Sequence, residues 1–130
     1  MVSVRFMLRA AFCAALLVAG SARAATPALA QIEVRVSHLE ALVGAARFRE
    51  AAEGAPVLRR QALALPPGAA TRLLLVRTEV AAATAALALR QDGNAKVYLH
   101  RALQLEPSLT LSASAAPKLR RTLDALRESI

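Results

Sequence analysis

Asn94-Ala-Lys-Val-Tyr-Leu-His-Arg-Ala-Leu-Gln-Leu-Glu-Pro107 is the stretch that decides how this chain folds. Ala95 and Ala102 stand two helical turns apart, so they share one face and let a neighbouring helix approach closely. Leu99 and Leu105 fill the space beside them, and Pro107 cannot continue a helix. The pattern predicts a helix that ends at Pro107 and packs along its alanine face.

Working outward, Gln91-Asp-Gly-Asn94 reads as a turn, with Asp92 or Asn94 as the N-cap of that helix. Before it, about Ala69 to Arg90, lies the most apolar segment, with Leu73-Leu-Leu-Val76 and the alanine-rich run from Val80 to Leu89. Such a helix expects burial on most sides. Arg72, Arg77 and Glu79 interrupt it and argue against a membrane span. Leu65-Pro-Pro-Gly68 separates it from a second helix, about Arg47 to Leu65, that carries Phe48, Ala51, Ala55, Leu58 and Ala62 inward and Ala52 outward. A first helix, about Leu29 to Ala45, has the stripe Ile32, Val36, Leu39, Leu42 and Val43. Downstream, a polar connection from Pro107 to Pro117 is pinned by Leu109 and Leu111. A last helix starts at Pro117, with Leu119, Leu123 and Leu126 inward and Arg120, Arg121 and Arg127 outward. No stretch alternates with period two over a useful length. The predicted class is all-α.

The small, bulky, small and proline positions of 95, 99, 102 and 107 resemble the second helix of a tetratricopeptide repeat. The resemblance covers Val76 to Pro107, with Ala83 and Ala86 in the small sites of the first helix. One departure is the turn, where the glycine is Gly93. An earlier unit is looser: Gly44 to Ala51 looks like the turn entering a second helix, with Phe48 and Ala51 in the aromatic and alanine places. Ala51 to Ala95 is 44 residues, ten more than the family period. The resemblance implies antiparallel helical hairpins in a short solenoid with a C-terminal capping helix. It implies a partner groove lined by Arg77, Val80, Thr84 and Leu87 from the better unit. Glu33, Val36, Glu40 and Val43 line it from the earlier one. Val80 and Thr84 stand where family members that grip a peptide carboxylate have lysine and asparagine, so that grip is not expected. Two units and a cap are fewer than the three repeats that usually make a stable array, which implies packing on a partner or a homodimer, unless the helices form a compact bundle.

The first 24 residues read as a secretory signal peptide that engages the membrane only during export. Arg5 and Arg9 precede the apolar run Ala10 to Ala19, and Ala22-Arg-Ala24 offers a cleavage site. Residues 25–130 then form the helical domain, a periplasmic or secreted bacterial product. Cys13 leaves with the leader, so thiol chemistry is not expected. Arg5, Arg9 and Arg23 leave as well and all nine acidic residues stay, which lowers the formal net charge from +8 to +5.

Catalytic and metal centres need clusters of histidine, cysteine or carboxylate. His38 and His100 fall on different helices. No serine sits in a nucleophile elbow, and Gly44, Gly54, Gly68 and Gly93 are isolated rather than grouped in a phosphate loop. No enzymatic activity, metal or cofactor is expected. Arg59-Arg60 and Arg120-Arg121 are short basic clusters, and Phe48 and Tyr98 are the only aromatics after the leader, so no nucleic acid is expected either. The expected function is non-enzymatic: a protein–protein interaction module, scaffold or accessory subunit, for an envelope protein or peptide. The alternative is a small lipid- or apolar-ligand-binding helical protein with the third helix as a pocket wall.

Overall fold

One helix organises this molecule, because it packs against every other. The computed structural model describes residues 26–130, and the expected signal peptide lies outside the described residues. Five helices run in order: α1 Thr26–Gly44, α2 Phe48–Leu63, α3 Ala69–Ala88, α4 Asp92–Leu105 and α5 Pro117–Ser129. Among the described residues there is no strand, as the absence of period-two alternation predicts. No described helix is long and apolar enough to cross a membrane.

α3 is the central element. Besides its consecutive neighbours α2 and α4, it packs on α1 and on α5. Alanine makes this possible, since small side chains let helices approach on several sides. Its two broad faces belong to different clusters. Leu74, Leu75, Ala81, Ala82 and Ala85 pack with Ile32, Val36 and Leu39 of α1 and Ala51, Ala55, Leu58 and Ala62 of α2. Ala83, Ala86 and Leu87 pack with Ala95, Leu99 and Leu103 of α4 and Leu119 and Leu123 of α5. Tyr98 touches both clusters.

The turns from α1 to α2 and from α3 to α4 have the same build. Ala46 and Arg90 each take a left-handed backbone with φ 61°. At each turn two amide groups fold back on the helix that has just ended. Ala46 N–H and Arg47 N–H donate to the carbonyls of Val43 and Leu42, and Arg90 N–H and Gln91 N–H donate to those of Leu87 and Ala86. This hydrogen-bond pair closes a helix and satisfies its last carbonyls. The turn places the N-cap of α4 at Gln91, whose side chain makes no capping bond, rather than at Asp92 or Asn94. Asp92 instead enters the first turn, where its charge suits the helix dipole.

α2 ends at Leu63, earlier than its apolar pattern predicts, with Leu65 N–H donating to the Ala62 carbonyl in a tighter turn. The cause is Pro66, which disfavours the helical conformation in the residue before it. Ala52, expected on the outer face of α2, is half-buried and packs against the first cluster. Leu109 and Leu111 pack against the second cluster, and Arg127 of α5 donates to the Leu109 carbonyl.

Candidate functional site

The residues expected to line a groove do not form one continuous surface. Val36 is wholly buried and Leu87 nearly so, because α1 packs on both α2 and α3 while α5 covers the end of α3. Glu33 is exposed, and Val43 and Val80 are half-buried. Glu40 and Arg77 pair with each other, Arg77 Nη2 lying 2.5 Å from Glu40 Oε1. The same guanidinium donates to the Ser37 hydroxyl. The hydrogen bond that Arg77 donates to Glu40 raises the Arg77 pKa above its ordinary value, with burial opposing it. Thr84 turns its hydroxyl back onto the Val80 carbonyl. Thr84 and Leu87 share a cavity of about 220 Å³ with Phe48, Lys118 and Leu119. Two of the eight expected residues thus meet in one cavity, and two others neutralise each other.

Chemically richer is a pocket of about 370 Å³ at the junction of α2, α3 and α4. Ala55 and Ala82 line it on two of the helices, and their short side chains leave the space open. Pro56, inside α2, also faces it. Glu79 of α3 lines this pocket and a smaller neighbouring one of about 150 Å³. The Glu79 side chain is 2% exposed and its Oε1 lies 2.9 Å from Arg59 Nε. Its Oε2 is buried with no hydrogen-bond partner. Burial pushes the Glu79 carboxyl above the usual carboxylate range, and the charges of Arg101 and Arg59 oppose the shift.

Three helices contribute to this site. α2 brings Arg59 and Arg60, α3 brings Glu79, and α4 brings Asn94, Tyr98 and Arg101. Arg59 and Arg101 both line the two pockets. Arg59 is engaged by Glu79, whereas Arg60 and Arg101 form no ion pair among the described residues. Glu79 therefore feels the charges of both Arg59 and Arg101, and Arg60 brings a further positive charge at an exposed position.

Sequence reading passed over this site. Glu79 reads as an interruption of an apolar helix, and Arg59-Arg60 as a short basic cluster. A signal was present: an acidic residue inside the most apolar segment must be buried, and a buried carboxylate requires partners. Which arginines supply them depends on the packing of three helices.

His38 and His100 are both exposed, on α1 and α4. Among the described residues no three His, Cys, Asp or Glu side chains gather closely enough to hold a metal ion. No protein-family model, curated protein or solved structure matches this chain.

Proposed function

We propose that this chain is a non-enzymatic protein–protein interaction module, a scaffold or accessory subunit of the bacterial cell envelope. In this reading α1–α2 and α3–α4 are antiparallel hairpins stacked as a short tetratricopeptide-like solenoid, and α5 caps its end. Residues 1–24 direct export and are removed, leaving a periplasmic or secreted product.

The observation that supports the reading is a recurrence at one spacing. Ala46 and Arg90 adopt the same left-handed turn, and the alanines that follow, Ala51 and Ala95, are both fully buried. Ala55 and Leu99 occupy the next equivalent places, then Leu58 and Ala102, all buried. Equal turns followed by equal buried positions are what stacked hairpins require. The packing of α3 on α1, and of α5 on α3, is the next-but-one contact of such a stack.

The cavity shared by Phe48, Thr84 and Leu87 is the partner seat in this reading. A photo-crosslinking residue at Thr84 in the exported chain is the test. A discrete adduct with one envelope protein, absent when the same group replaces exposed His100, is the expected result. An adduct with a second copy, with a dimer in sedimentation equilibrium, identifies a homodimer. No site-specific adduct overturns the reading.

A second reading, binding of lipid or another apolar ligand, rests on a cavity of about 590 Å³ lined by Leu63, Leu65, Leu75 and Leu105. Leu75 makes α3 one wall of it. Lipid extracted with the purified protein, and absent from Leu75→Glu, would favour this reading over the first.

A further inference from the structure

Two adjacent cavities that share no lining residue with the partner seat differ sharply in chemistry. The larger, of about 590 Å³, is walled by Leu63, Leu65, Leu75 and Leu105. A volume of this size lies within the range of roughly 300–1,000 Å³ that holds a small organic ligand. Leu63 is 52% exposed, a large apolar side chain left in water beside an apolar cavity. Arg72 is the one charged residue of this lining among the described residues, and its charge acts on Glu106. The smaller cavity, of about 150 Å³, shares Leu63, Leu75 and Leu105 with the larger and adds Arg59, Glu79, Arg101 and Gln104. An apolar chamber thus adjoins a charged one.

The charges of the smaller cavity do not cancel. Arg59 is paired with Glu79, and Arg101 acts on the same carboxylate by its charge without forming an ion pair. Two guanidinium groups against one carboxylate leave a net charge of +1 beside an apolar wall. We propose that the two cavities together bind a single-chain fatty acid, its alkyl chain along Leu63, Leu65, Leu75 and Leu105 and its carboxylate accepting from the Arg101 guanidinium and the Gln104 amide. This rests on the apolar-ligand reading of the larger cavity and names the ligand class for it. Arg101 and Gln104 stand three residues apart on α4 and so share a helix face, which lets both meet one head group. The buried Glu79 oxygens make no contact with the ligand; Glu79 holds Arg59 in place. Charge selects the head group. A carboxylate matches a guanidinium through paired N–H donors and balances the excess charge. An uncharged hydroxyl leaves that excess in place, and a cationic head adds to it.

Isothermal titration calorimetry of the exported chain with octanoate, decanoate, decanol and decyltrimethylammonium at about pH 8, where a carboxylate is ionised, tests this. Decanoate should bind about tenfold more tightly than octanoate, because two more methylenes leave water. It should also bind about tenfold more tightly than decanol, which lacks the charge-assisted hydrogen bond. Decyltrimethylammonium should bind more weakly than either. Arg101→Gln should lower decanoate affinity about tenfold, to the level of decanol, and leave decanol unchanged, whereas Arg120→Gln on the exposed face of α5 should change neither. Leu63→Ser should weaken decanoate and decanol alike by at least about threefold, and Val34→Ser, at a position 69% exposed on α1, should not. Should Arg101→Gln fail to fold, the comparison of decanoate with decanol in the unaltered protein decides the same point. Equal affinity for decanoate and decanol overturns the fatty-acid proposal and leaves the apolar-ligand reading standing. No binding of either, up to the solubility limit of each, overturns both. An Arg101→Gln variant that binds decanoate as the parent does also overturns the proposal.

Discussion

At the scale of single residues, Glu79 carries the largest conflict between position and chemistry. It sits in the central helix, 2% exposed, with one oxygen on Arg59 and the other unpartnered. Breaking such a pair is costly because it strands a buried charge, while the pair itself need not add net stability. Its value lies in joining α2 and α3 at one point. Burial raises the Glu79 pKa, so the folded state binds a proton more readily than the unfolded chain does. Stability from this group is therefore fully present below the ordinary glutamate pKa of about 4.3 and is lost as pH rises through the higher folded value. Glu106 acts in the opposite sense: hydrogen bonds from Ser108 lower its pKa, so its contribution is lost as pH falls below the ordinary range. The two windows lie on opposite sides of the ordinary value. Urea midpoints measured between about pH 5 and pH 8 should rise toward acid in the parent, and this slope should flatten in Glu79→Gln. An unchanged slope in the variant would assign it to other groups.

At the scale of elements, the contact between α3 and α4 depends on alanine. Ala83, Ala86, Ala95 and Ala102 are 0–1% exposed, and Leu99 between them is wholly buried. Replacing Ala102 with Phe forces a large ring into this seam and should cost about 1–3 kcal/mol or more. Ala41, exposed on α1, is the matched control, and Ala41→Phe should cost no more than about 0.5 kcal/mol. Ala52 does not serve as that control, because it packs against the first cluster. Both variants exchange the same residue types within a helix, so propensity differences largely cancel and burial decides. Equal urea midpoints would show that α3 and α4 do not meet along this face.

Over the whole molecule, α3 is shared by two clusters, and α5 closes the second. Leu119 and Leu123 are the buried residues of α5, and they pack on the same cluster as Ala83, Leu87 and Leu99. Ending the chain after Leu111 exposes that cluster. Each lost leucine contact is worth about 1.5–3 kcal/mol, a large share of the total for a domain of this size. The shortened chain should keep its helical circular dichroism, lose most of its urea resistance and bind a hydrophobic dye. Undiminished stability would show that α5 does not act as a cap.

The helices and their inward faces were legible in the sequence because they depend on local periodicity. Ala51, Ala55, Leu58 and Ala62 recur at helical spacing and are buried as that spacing predicts. Pro117 and the run after Leu65 mark a helix start and a helix stop through the missing amide hydrogen of proline. The apolar character of α3 alone announced that it would be surrounded. Other features depended on which helices meet. The burial of Val36 agrees with the apolar stripe of α1 and not with its place in the groove, because α1 lies against α2 and α3 together. The pairing of Glu40 with Arg77 joins α1 to α3 and neutralises two charges that each read as part of an open groove. Above all, Arg59, Glu79 and Arg101 lie on three different helices, and their convergence is a property of the packed whole. Local sequence sets the turn-by-turn conformation of a helix, but only tertiary packing withdraws a carboxylate from water and decides which cations stand beside it.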